Sequence, residues 1–148
     1  NNLILTSSTG KISELNNAVA NRLITFGANT TELDGEANLT FDGNFLSLQG
    51  GLVLKRRQIT SNITASSTDY YIGVSASATL DVRLPGAQTL TNGQTFVIKD
   101  EGGNANIHQI TVSTSGSQTI DGSPNVRLES PFAAINVYSD GTSKYFIF

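Results

Sequence analysis

The stretch Leu39-Thr40-Phe41-Asp42-Gly43-Asn44-Phe45-Leu46-Ser47-Leu48 decides the fold class. Alternation places Leu39 and Phe41 on one strand face and Leu46 and Leu48 on another, around an Asp-Gly-Asn turn. Glycine supplies the positive φ that a tight turn requires, and Asp or Asn beside it tolerates the same region. The stretch therefore predicts a β-hairpin, and Asn92-Gly93 and Asp140-Gly141 repeat its turn signal.

Around this hairpin, from residue 1 to 57, the apolar residues come in short groups: Leu3 to Leu5, Ile12 and Leu15, Leu23 to Phe26, Leu39 to Leu48, and Leu52 to Leu54. Each group is too thin to bury both faces within one chain, because small units bury a low fraction of their surface. Three copies around an axis would supply the missing burial. Residues 1–57 thus predict a thin, intertwined trimeric β-shaft with Leu39, Phe41, Leu46 and Leu48 in the trimer core. Ile12, Leu15, Val19 and Arg22 also fall at helical spacing, but Asn16, Asn17 and Asn21 are poor helix formers, so extended structure is expected here as well.

From residue 58 the pattern becomes regular alternation, as in Leu80-Asp81-Val82-Arg83-Leu84, with apolar side chains facing in and charged ones out. Further strands are predicted over Asp69 to Val74, Thr95 to Lys99, Gln109 to Ser113, Asn125 to Glu129, Ala133 to Tyr138 and Lys144 to Phe148. Gly, Pro, Asn or Ser bounds each one. Residues 58–148 therefore predict a compact, jelly-roll-like β-sandwich or barrel head, and the chain as a whole is expected to be all-β. The terminal Lys144-Tyr145-Phe146-Ile147-Phe148 is too apolar to hang free.

Composition narrows the partners. The chain has 148 residues, 14% of them charged, with a formal net charge of -3, so it lacks the positive field that gathers nucleic acid. At 38% hydrophobic it carries enough apolar side chains to fold. Cysteine is absent, which excludes disulfides and thiolate metal sites. No apolar run approaches the roughly 20 residues needed to cross a bilayer, so no membrane insertion is expected. The sequence begins at Asn1 and contains no methionine, which suggests a fragment, a processed product or an engineered expression product, with something preceding residue 1.

Catalytic constellations are thin. His108 is the single histidine; Asp100, Glu101 and many serines accompany it, yet no nucleophile motif frames any serine. One histidine without cysteine makes a zinc site improbable. Glu32, Asp34 and Glu36 offer oxygens but not the layout of a calcium loop. Polysaccharide cleavage needs two carboxylates at controlled separation, and no pair is singled out. No catalysis, cofactor or metal is expected.

Lys55-Arg56-Arg57 is the one basic run and is expected to form a solvated or inter-subunit neck. Asn29-Thr30-Thr31, Asn38-Leu39-Thr40 and Asn62-Ile63-Thr64 match the glycosylation acceptor pattern, which arises readily by chance in such a composition. Binding is expected in exposed loops, and Gly102-Gly103-Asn104 frees the backbone between two β patterns. The candidate contacts are Glu101, Gly102, Gly103, Asn104, Asn106 and His108, with Tyr70 and Tyr71 as rings that could stack on sugars.

Val19-Ala20-Asn21-Arg22, Ile24-Thr25-Phe26-Gly27, Thr31-Glu32-Leu33-Asp34-Gly35 and Asn38-Leu39-Thr40-Phe41-Asp42-Gly43 together resemble the shaft repeats of phage tail fibre proteins. Gly93-Gln94-Thr95-Phe96-Val97-Ile98-Lys99-Asp100-Glu101-Gly102-Gly103, with Thr119-Ile120-Asp121-Gly122 and Ser139-Asp140-Gly141-Thr142, resembles the C-terminal domains of such fibres. The resemblance implies a homotrimer on the virion surface that attaches to a host-surface glycan or protein and joins other virion proteins through its N-terminal side. The alternatives are a cellular trimeric adhesin or carbohydrate-binding module, and a polysaccharide depolymerase.

Overall fold

A computed structural model describes residues 3–4, 14–16, 19–27 and 32–148. The described residues are all-β apart from one 3-10 turn at Ala87–Thr89, and the chain divides into two compact units, Asn1–Val53 and Leu54–Phe148.

The first unit is a single sheet of β1 (Leu3–Ile4), β2 (Glu14–Asn16), β3 (Arg22–Phe26), β4 (Glu32–Phe41) and β5 (Leu46–Leu48). Leu5, Ile12 and Asn29-Thr30-Thr31 lie outside the described residues, as do parts of the segment with helical spacing; Glu14–Asn16 within that segment is a strand. The expected hairpin forms between β4 and β5, with Leu39 opposite Leu48 and Phe41 opposite Leu46. Opposed pairs share a sheet face, so all four apolar side chains stand on the same side of the hairpin. Asp42 closes its turn: one carboxylate oxygen accepts the N–H groups of Asn44 at 2.9 Å and Phe45 at 2.8 Å, and Gly43 takes φ +101°. These N–H groups, Phe45 first, hold the Asp42 carboxyl below the usual carboxylate range.

The second unit contains two sheets. In the first, β6 (Arg56–Ile59), β8 (Tyr71–Val74) and β10 (Thr95–Asp100) run parallel, and β14 (Ala134–Ser139), β15 (Lys144–Ile147) and β12 (Thr119–Ile120) complete the order. In the second, β7 (Ile63–Thr64), β9 (Leu80–Arg83) and β11 (Ile110–Ser113) run parallel, with β13 (Asn125–Leu128) antiparallel at the edge. The chain goes out along one sheet and back along the other, three times in succession. Every return to a sheet therefore runs in the same direction as the last. A jelly roll joins antiparallel neighbours, so this coil of parallel strands corrects the jelly-roll-like expectation while keeping two facing sheets.

Alternation decides which side chains fill the space between the sheets. Phe96 and Ile98 of β10, Ile72 and Val74 of β8, Ile135 and Val137 of β14 and Tyr145 of β15 meet Leu80 and Val82 of β9 and Ile110 and Val112 of β11 in one buried cluster. Burying each large apolar side chain contributes about 1.5–3 kcal/mol. Tyr145 carries a hydroxyl into this core and donates it to the Pro85 carbonyl at 2.6 Å. Burial pushes its phenol pKa well above the ordinary tyrosine value.

The predicted strands of this unit form within one or two residues of their expected ends. Lys55, Arg56 and Arg57 keep part of their side chains exposed while each pairs with a carboxylate of this unit. Lys55 and Arg57 each lie 3.1 Å from the buried carboxylate of Asp69, and Arg56 pairs with Glu101. Burial alone would raise the Asp69 pKa, but the Ser66 N–H and the two cations outweigh it and hold the carboxyl low.

Replacing Tyr145 by Phe leaves the Pro85 carbonyl without its donor, and is expected to cost about 1–3 kcal/mol without loss of the fold. Chemical denaturation checks this, and an unchanged midpoint would contradict the placement of the hydroxyl.

Candidate binding loop

The connections from the first sheet to the second, residues 60–62, 75–79 and 101–109, all lie at one end of the coil, beyond the carboxyl ends of β6, β8 and β10. The longest of them contains the loop singled out in the sequence. It is built around Asp100, the last residue of β10, which alternation turns inward and which is 2% exposed. A carboxylate in that position is costly unless its oxygens are satisfied. Here one oxygen accepts the Gly103 N–H at 2.9 Å, and the other accepts Ala105 at 2.9 Å and Phe132 at 3.0 Å. Burial pushes the Asp100 pKa up, but the N–H groups of Ala105, Phe132, Asn104 and Gly103 together overcome it and hold the carboxyl below the ordinary range.

One inward carboxylate thus ties the 101–106 loop to the turn before β14. Gly103, at φ +71°, lies flat under the Phe132 ring, where any Cβ would come within 2.4 Å of the ring. Phe132 itself holds φ +59°, uncommon for a bulky residue, and is 62% exposed. Lys99 stands 5.6 Å from the centre of the Phe132 ring, and its ammonium donates to the Phe132 carbonyl.

The loop does not gather all the expected contacts. Glu101 is spent within the unit: it forms a two-point pair with Arg56, and its carboxylate covers Gly73 on the outer face of β8. The hydrogen bond from Arg56 is the main reason the Glu101 pKa is lowered. Gly102 donates its N–H to the Val74 carbonyl. His108 is half-buried, and its backbone N–H donates to the Asn104 carbonyl at 2.7 Å. Asn104 and Asn106 are exposed, with Ile107 beside them.

Tyr70 and Tyr71 stand at the other end of β8, with rings edge to face at 4.8 Å. Tyr71 is three positions before the loop end of that strand, roughly 10 Å along it, so the tyrosines and the loop are separate places. Tyr138 packs with Phe146 and Phe148 on the outer face of β14 and β15.

Among the described residues no group of three or more His, Asp or Glu gathers to hold a metal. Glu36 accepts the Thr25 hydroxyl. No described helix is long and apolar enough to cross a membrane. The loop as built can present side-chain amides, backbone groups and one exposed aromatic face to a ligand. Phe132 was the missed member; its signal is faint, a lone aromatic after Pro131 with no alternation around it.

Because the folded pKa of Asp100 is depressed, its contribution is fully present above the unfolded value of about 3.9 and is lost as pH falls through the lower folded value. Protection of the Gly103, Ala105 and Phe132 amides is therefore expected to collapse below about pH 4. Asp100→Asn sets an amide N–H₂ against backbone N–H donors, and should remove this pH dependence while costing about 1.5–3 kcal/mol at neutral pH. Hydrogen-exchange protection factors across pH check both expectations, and an acid-independent loop in the native protein would contradict them.

No protein-family model and no curated protein matches this sequence.

Proposed function

We propose that the chain is the distal part of a homotrimeric, non-enzymatic fibre that attaches a virion to a host surface. The observation that carries this reading is the surface of the first unit. Val19, Leu23, Ile24, Phe26, Phe41, Phe45, Leu46, Leu48, Leu52 and Val53 are all exposed in the single chain, and the buried hydrophobic core contains no described residue before Ile59. So many large apolar side chains left exposed by one unit are the mark of an interface, and copies of the same chain are its most economical partner.

The number three and the virion setting come from the resemblance of Ile24-Thr25-Phe26-Gly27 and Asn38-Leu39-Thr40-Phe41-Asp42-Gly43 to fibre shaft repeats. On this reading residues 1–57 form the shaft, with Leu39, Phe41, Leu46 and Leu48 packed between chains. Residues 58–148 form the head, which presents the loop with Asn104 and Asn106 to a surface glycan or protein. Three linked copies would raise avidity over a single site by about 10²–10⁴ where geometry permits simultaneous engagement.

Phe41→Ala should lower the stability of the assembly by about 3–5 kcal/mol per site, read as a fall in the dissociation temperature; no fall would remove Phe41 from the interface. Attachment is tested by binding of labelled protein to a panel of intact cells. Asn104→Ala with Asn106→Ala should weaken binding while the assembly stays intact. Unchanged binding would move the contact elsewhere, and sustained release of reducing ends from surface polysaccharide would replace adhesion with hydrolysis.

A further inference from the structure

The outer face of the four-stranded sheet carries polar side chains that the binding loop does not use. Alternation turns Asp81 and Arg83 of β9 and Thr111 and Ser113 of β11 outward, and Thr64 of β7 stands next to Arg83. Two adjoining depressions, of about 350 and 290 Å³, open on this face and share Asn62 and Asp81 as walls. The first also touches Thr111 and Leu80, the second Thr64 and Arg83. Together they make one shallow groove with Asp81 at its middle.

The polar groups of this groove are ordered by the protein itself. Asn62 reaches across to accept the backbone N–H of Asp81 at 2.8 Å with its side-chain oxygen, extending the ladder just before the short strand β7 begins. Its amide N–H₂ is left without an intramolecular acceptor among the described residues. The Ser113 hydroxyl donates to Asp81 Oδ2 at 2.9 Å, and the Arg83 Nε lies 4.0 Å from the same oxygen. Among the described residues Oδ1 of Asp81 has no such partner. A fixed acceptor, a fixed amide donor and a guanidinium therefore face one concave surface, with threonine hydroxyls at its sides.

We infer that this groove binds a neutral sugar, with Asp81 Oδ1 and the Asn62 amide engaging neighbouring hydroxyls of one ring. A hydroxyl both donates and accepts, so a vicinal pair suits an acceptor beside a donor. Anionic ligands meet the free oxygen of Asp81 as a like charge, and a lone carboxylate supplies too few oxygens for calcium. Because Asn62 and Asp81 are held before the ligand arrives, little ordering remains to oppose binding. The inference names the ligand class for the attachment reading and rests on it for its biological sense. The groove lies at the same end of the coil as the binding loop, since Asn62 and Thr79 belong to the other two connections of that end.

The test uses the whole chain and saturation-transfer NMR with the methyl glycosides of glucose, mannose and galactose, and with sialyllactose as the anionic comparison. At least one neutral glycoside should bind, and Asp81→Asn should weaken it about 10- to 100-fold, the equivalent of losing a charged hydrogen bond. Thr111→Val, a second probe of the same wall, should also weaken binding, and thermal unfolding checks that both variants stay folded. Binding of no neutral glycoside, equal binding by Asp81→Asn, or a preference for sialyllactose would each overturn the inference. Cell attachment that survives Asp81→Asn would sink the groove and leave the attachment reading standing. Sugar binding at Asp81 by a chain that attaches to no cell would do the reverse.

Discussion

Each sheet of the second unit contains three successive parallel strands, β6, β8 and β10 in one and β7, β9 and β11 in the other, and parallel neighbours cannot be joined by a tight turn. Each crossover must leave the sheet and come back, and this unit, with no α-helix, uses a strand of the facing sheet for the purpose. Much of the unit follows from that constraint. The inner faces of Ile72, Phe96, Val82 and Val112 meet in one buried layer, because every crossover brings an apolar strand face over the last. The outer faces stay polar where they carry Asp81 and Arg83. The connections 60–62, 75–79 and 101–109 collect at one end of the coil, so the loop after Asp100 and the groove walls Asn62 and Thr79 belong to the same end.

Charge inside this unit is used sparingly and always with partners. Asp100 and Asp69 are both buried carboxylates with lowered pKa, yet they do different work. Asp100 faces only backbone N–H groups and shapes a loop. Asp69 gathers Lys55 and Arg57 and fastens the first strand of the coil to the turn before β8. That first strand is an edge, exposed to unwanted pairing, and the two arginines in Arg56–Ile59 are the kind of side chain that guards such an edge.

Alternation made the long strands legible, since Leu80, Val82, Phe96, Ile98, Ile135 and Val137 each bury one face. It reports which way a side chain points, however, and not which strand lies alongside. Parallel pairing was therefore invisible, and the antiparallel expectation followed from the many turn signals instead. Ile63–Thr64 and Thr119–Ile120 are too short to alternate, and Arg56–Ile59 buries only its last residue, so their strand state is set by neighbours. The inward turn of Asp100 could have been read from the parity of Phe96 and Ile98. The commitment of Glu101 to Arg56 could not, because those residues meet only after β6 has joined β8. The hairpin of Leu39 to Leu48 was fully legible, since its turn chemistry and its pattern agree within ten residues.

The two units contrast in what they can bury alone. The second closes a core around Tyr145 and Phe96, whereas the first presents Phe26, Phe45, Leu46 and Val53 to solvent with no cysteine to staple it. On the fibre reading proposed above, two further copies of the chain cover this surface. Sedimentation equilibrium at micromolar concentration tests that claim most directly. A mass of three chains that persists on dilution agrees with it, and a mass of one chain contradicts it.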